Sequence, residues 1–109
     1  MLNIVVLTGN LGSDPEMHYT ADGNPIATLN LAFRSGKDKT GWIKVTAFGK
    51  LAEIAEQYLR KGSKITVAGS IDQEKWQSSD GSPRTGFKLI ANSIDFIKVD
   101  STEDDFPGG

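Results

Sequence analysis

GWIKVTAFGKLAEIAEQYLRKG, residues 41–62, changes its period half-way along. The first half alternates. Successive side chains of a strand face opposite sides, so Ile43, Val45 and Ala47 share one face and Trp42, Lys44, Thr46 and Phe48 the other. The first set is small and apolar, and suits a core. The second places a lysine and a threonine between two aromatics. Buried, that face would trap an unpaired ammonium at high cost. Exposed, it offers flat rings and positive charge, the two features that hold a single-stranded nucleic acid. In the second half, Leu51, Ile54, Tyr58 and Leu59 recur at helical spacing. Glu53 and Glu56 come before Arg60 and Lys61, an order that suits the helix dipole, and Gly62 is a natural stop. Tyr58 reads as a core residue of this helix.

Upstream, residues 3–11 are apolar on both faces, with Val5, Leu7 and Leu11 on one and Ile4 and Val6 on the other. A strand without a polar face is covered on both sides. The second cover is either a curled barrel or another subunit. Gly12-Ser13-Asp14-Pro15 reads as a turn, and Met17 to Thr20 as a short strand closed by Ala21-Asp22-Gly23-Asn24. From Pro25 to Arg34, Ala27, Leu29, Leu31 and Phe33 form an apolar face. SGKDKT, residues 35–40, is a polar, basic loop.

Downstream, Ile65, Val67, Gly69 and Ile71 share one parity of a long strand from Lys64 to Trp76. The other parity is polar and ends on Trp76. Gln77 to Pro83 is a turn or an extended hairpin loop. Arg84 to Ile97 is a last strand, bent near Asn92-Ser93. Phe33 and Phe87 read as core or interface residues. The order strand, strand, strand, helix, strand, strand predicts an all-β domain over residues 1–98. It is a five-stranded Greek-key barrel of the OB type, with one helix between strands three and four. A small β-sandwich is the alternative, but it would not place a helix there. Residues 99–109 are expected to form a short, flexible, disordered acidic tail.

The 109 residues carry a formal charge of −2. Residues 99–109 hold Asp100, Glu103, Asp104 and Asp105 and no base, a local −4. The other 98 residues therefore carry the difference, +2. Between residues 34 and 50, Arg34, Lys37, Lys39, Lys44 and Lys50 face only Asp38, a local +4. For a polyanion lying in a groove, local sign matters more than the total. With no cysteine, disulfides and thiolate metal sites are excluded. No phosphate-cradling glycine loop, metal-ligand cluster or nucleophile motif points to an enzyme, a metal or a cofactor. His18 reads as exposed decoration of a hairpin. No apolar run is long enough to span a membrane, and the N-terminus reads as a strand.

These stretches resemble the bacterial single-stranded DNA-binding protein family. The resemblance rests on GNLGSDPE at 9–16, WIKVTAFGKLAEIAEQYLRKGS at 42–63 and VAGSIDQEKW at 67–76, and runs from about Asn3 to Ile97. It implies an OB fold, a homotetramer and a cytoplasmic, nucleoid-associated or organellar location. It also implies sequence-tolerant binding and protection of single-stranded DNA in replication, recombination and repair. Trp42, Phe48 and Trp76 fall on family positions whose rings stack on bases. Lys44 and Lys50, with Arg34, Lys37 and Lys39 in the loop, are the candidate phosphate contacts. Gly36 stands where the family often has a further aromatic.

The family also implies an acidic tail tip that recruits replication and repair proteins. Here Glu103, Asp104, Asp105, Phe106 and Pro107 carry the acidic and apolar elements, followed by Gly108-Gly109 in place of a terminal phenylalanine carboxylate. A solvated acidic tail stands on equal terms with a partner-binding one. Two other functions fit an OB domain: a protein-interaction subunit of a replication-restart complex, and a single-stranded RNA chaperone.

Overall fold

The computed structural model describes residues 1–97. The segment 98–109, with the candidate partner tip Glu103 to Pro107, lies outside the described residues. Six strands and one helix follow in order: β1 (Val5–Leu11), β2 (Glu16–Tyr19), β3 (Pro25–Gly36), β4 (Lys39–Phe48), α1 (Gly49–Tyr58), β5 (Lys64–Gln77) and β6 (Pro83–Phe96). The sheet order is β1-β5-β6-β4-β3-β2, and an added β1–β3 pairing closes the ring. Five strands therefore form the barrel, and the short β2 hangs on the start of β3. Only β4 and β6 run in parallel, with Lys44, Val45 and Thr46 beside Lys88, Leu89 and Ile90. The helix and β5 lie between these two strands in the chain.

The alternation read in the sequence is the alternation of burial. Ala27, Leu29, Leu31, Val45, Ala47, Ile65, Val67 and Leu89 have no exposed surface. Burying a side chain the size of leucine contributes about 1.5–3 kcal/mol, so this face carries most of what holds the ring shut. Closure needs two close backbone approaches. A methyl group on Gly9 would overlap the Ala32 carbonyl where β1 crosses β3, and one on Gly69 would overlap the Ile90 carbonyl. At Gly69 the β5–β6 register shifts by one residue. Ala68 faces Ser93 and Gly69 faces Ala91, which leaves Asn92 as the bulge. This is the bend expected near Asn92-Ser93.

The helix buries alanines. Ala52 and Ala55 lie against the barrel, with Leu59 buried just beyond the last turn, while Leu51 packs at the edge. Small side chains let the helix sit close to the sheet. Tyr58 corrects the core reading: it is 60% exposed, and its ring lies against Phe96 at 5.9 Å between centroids. Arg60 and Lys61 lie past the helix end. The Arg60 guanidinium donates to the carbonyls of Glu56 (2.8 Å) and Leu59 (2.6 Å), satisfying two groups the helix leaves open. The Lys61 amide donates to Asp14 Oδ1 at 2.7 Å, which ties the first turn to the helix end.

On β1, Val5 and Leu7 pack on the core and Leu11 lies within it. Ile4 and Val6 are exposed, so the barrel does not supply their cover.

Candidate nucleic-acid interface

Strand register assembles one outer face. Trp42 lies opposite Ala32, and Lys44 lies between Asn30 and Lys88. On the β5–β6 ribbon, Asp72 pairs Lys88, Glu74 pairs Gly86 and Trp76 pairs Arg84. These residues share the non-core parity of β3, β4, β5 and β6, so both tryptophans and three cationic side chains lie on one curved surface. Trp42 is 62% exposed, Trp76 50% and Phe48 49%.

The benzo edge of each indole lies beside a glycine. A side chain at Gly12 would run into the Trp42 ring, and one at Gly86 would come within 3.2 Å of the Trp76 ring. Both residues keep half or more of their surface open, which a stacking platform needs. Thr46 departs from its expected exposure. It is buried because Thr28 on β3 and Ile90 on β6 flank it on the same face.

Between the tryptophans sits a charge cluster. Lys44 Nζ donates to Glu74 Oε2 at 3.3 Å, and Lys88 Nζ lies 3.5 Å from Glu74 Oε1. Glu74 is held below the usual carboxylate range, first by the hydrogen bond from Lys44 and then by the charges of the two lysines; partial burial pushes the other way. Two ammonium groups share one carboxylate, so the cluster keeps a net positive charge. A hollow of about 300 Å³ opens beside it, lined by Lys44, Glu74, Lys75 and Trp76.

The remaining expected contacts are spread out. Arg34 and Lys39 line a separate groove of about 630 Å³ at the β3–β4 hairpin, together with Lys64, Phe33 and Asp38. Lys37 is exposed in the turn beside Asp38, whose φ of 60° is left-handed. Phe48 and Lys50 sit where β4 passes into α1, at the far end of β4 from Trp42.

Lys88 and Arg84 join the face without having been singled out in the sequence, as does Glu74. The signal for the two cations was present: Arg84, Gly86 and Lys88 alternate with Thr85, Phe87 and Leu89. Phe87 is 59% exposed, so of the two readings given to it, core or interface, the core one is corrected. Its parity is inward, but the ribbon has already run past the end of the barrel.

The profile of the single-strand binding protein family matches residues 2–97, the whole of the described chain but its first residue. The chain belongs to this family. A curated single-stranded DNA-binding protein from Xylella fastidiosa is 42% identical over 104 residues, covering 88% of this chain. The chain spans 63% of that relative's length. Among solved structures, a Plasmodium falciparum SSB in complex with single-stranded DNA superposes with a TM-score of 0.81 at 25% identity. The match covers 90% of this chain and 97% of the other. The closed five-strand ring described above is thus the OB barrel of the family. No helix among the described residues is long and apolar enough to cross a membrane.

Proposed function

We propose that the chain binds single-stranded DNA with little sequence preference, and protects it during replication, recombination and repair. The observation that carries this is the single surface shared by Trp42, Lys44, Lys88 and Trp76. Open indole faces accept any base, because every base has a π-face, and the ammonium groups neutralise the phosphates that run beside them. Phe48 extends the stacking surface toward α1. Lys50, and Arg34, Lys37 and Lys39 on the hairpin, take the strand where it leaves the central face. This is a binding role and not a catalytic one, carried out in the cytoplasm. The acidic segment Glu103 to Pro107 is the candidate contact for replication and repair proteins.

We further propose that the working form is a homotetramer. From Val5 to Thr8, β1 pairs only with β5, because its pairing with β3 begins at Gly9. That leaves one free backbone edge next to exposed Leu2, Ile4 and Val6. An apolar strand with an open edge is a template for another copy.

The test is a titration of tryptophan fluorescence with oligo-dT at several salt concentrations, with oligo-U of equal length as competitor. Quenching that weakens with salt and resists oligo-U is the expected result. Unchanged emission at low salt excludes the reading, and preference for oligo-U turns it toward RNA.

A further inference from the structure

Away from the central face, β1 and β3 form a fork. They pair from Leu11–Leu31 to Gly9–Phe33 and then part, while β3 runs on with β4 to Gly36. The fork opens as the groove of about 630 Å³ at the β3–β4 hairpin. Arg34, Lys39 and Lys64 line it against a single carboxylate, Asp38. The ion pairs among the described residues are His18–Glu16, Lys44–Glu74 and Lys88–Glu74, and none draws on these three cations. In the central cluster two ammonium groups share Glu74. The groove therefore holds more unshared positive charge than the face between the tryptophans.

Phe33 gives this groove a ring. It is half-buried and lies across Gly41 of β4, where a side chain would come within 2.5 Å of it. Thr8 and Asn10 form the opposite wall. Their side chains already bond the Thr66 hydroxyl (2.7 Å) and the Gly62 carbonyl (3.2 Å), so they shape the wall. Ring and cations together are again the pair of features that holds a single strand.

We infer that this groove takes a further stretch of the single strand whose bases stack on Trp42, with phosphates on Arg34, Lys39 and Lys64 and a base against Phe33. This rests on the single-strand DNA reading above and deepens it. Arg34 joins the two places. It stands two residues from Ala32, the partner of Trp42, and so shares the Trp42 side of the hairpin, yet it lines the groove. Phe33 has the opposite parity. The strand therefore crosses the β3 edge at Arg34 and passes from one side of the hairpin to the other. The β1–β3 pairing stops at Phe33, which leaves that edge open for the crossing. An arginine at the crossing holds the phosphate chain by charge-assisted hydrogen bonds where it turns.

The test is a ladder of oligo-dT lengths bound to the full chain over a range of salt, with Phe33→Leu, Lys64→Ala and Lys61→Ala. Leucine keeps bulk at position 33 and removes the π-face. Lys61 is exposed like Lys64 but does not line the groove. The shortest oligomers that bind should sit on the tryptophan face, and all four proteins should hold them alike. On long oligomers Phe33→Leu should weaken binding roughly fivefold, the low end of what a stacked base contributes in single-strand grooves, this family's among them. Lys64→Ala should lower the salt slope by about 0.7, the share of one phosphate, on long oligomers alone. Lys61→Ala should leave that slope where it was. Lys64 is exposed, so its variant tests the groove even where Phe33→Leu disturbs the fold. An equal loss at every length, no loss at any length, or the same effect from Lys61→Ala as from Lys64→Ala overturns the inference and leaves single-strand binding intact. Failure of the unaltered protein to bind any oligomer removes the binding reading, and this inference with it.

Discussion

Lys44 Nζ lies 3.3 Å from Glu74 Oε2, joining β4 to β5 across the intervening β6. The contact crosses the middle of the face that carries both tryptophans, and Lys88 on β6 completes it from the other carboxylate oxygen. Its pH dependence follows. The folded protein holds Glu74 below its ordinary value of 4.5, with the Lys44 hydrogen bond as the largest cause. A carboxylate with a depressed value stabilises the fold above its unfolded pKa and loses that contribution as pH falls through the folded one. Melting of the unaltered protein and of Glu74→Gln should therefore differ by a constant amount above about pH 4.5. Below that the gap should close. A gap that stays constant into strong acid would show that the pair contributes nothing to stability.

Loss of a ring should cost affinity and little else. Alanine substitutions in single-strand grooves, this family's among them, put base stacking at about 1–3 kcal/mol. Trp76→Ala and Trp42→Ala should each weaken oligo-dT binding by roughly 5- to 150-fold. Both rings are half exposed, so the melting temperature should move little. Fluorescence anisotropy of a labelled oligomer measures the first effect and calorimetry the second.

Salt separates charge from stacking. On single strands, each neutralised phosphate contributes about 0.7 to the slope of log affinity against log salt. Lys88→Ala should lower that slope by about this amount, while Trp76→Ala should shift the line without changing its slope. Parallel lines for Lys88→Ala would place the phosphate chain elsewhere on the barrel.

The core should respond as a close-packed interior. Leu29 has no exposed surface and lies in the middle of β3, so Leu29→Ala should cost about 2–5 kcal/mol of stability by denaturant unfolding. Gly9→Ala puts a methyl group into the Ala32 carbonyl at the point where the ring closes. It should destabilise the fold despite adding so little volume.

Association should depend on the exposed side of β1. With Val6 replaced by lysine, the β1 edge gains a charge where a second copy would sit. Light scattering at micromolar concentration should report a tetramer for the unaltered protein and a smaller species for Val6→Lys. A monomer in both cases would refute the assembly.

The two-residue alternation of 42–48 was enough to place Trp42, Lys44 and Phe48 outside and Val45 and Ala47 inside, because alternation is a local property of the pleated backbone. The order of the elements likewise sufficed for the OB barrel and its single helix. What lay beyond local reading depended on which strands become neighbours and where along them the core stops. Glu74 is an ordinary surface residue in the sequence, and only the adjacency of β4, β6 and β5 sets it between Lys44 and Lys88. Phe87 has the parity of a core residue and is exposed because the β5–β6 ribbon outruns the barrel. Tyr58 has helical core spacing and is exposed because Ala52 and Ala55 bring the helix down on a different stripe. Side-chain direction is set by each residue's own backbone, so the sequence determined it. Burial and pairing are set by residues far away in the chain, so only the tertiary structure decided them.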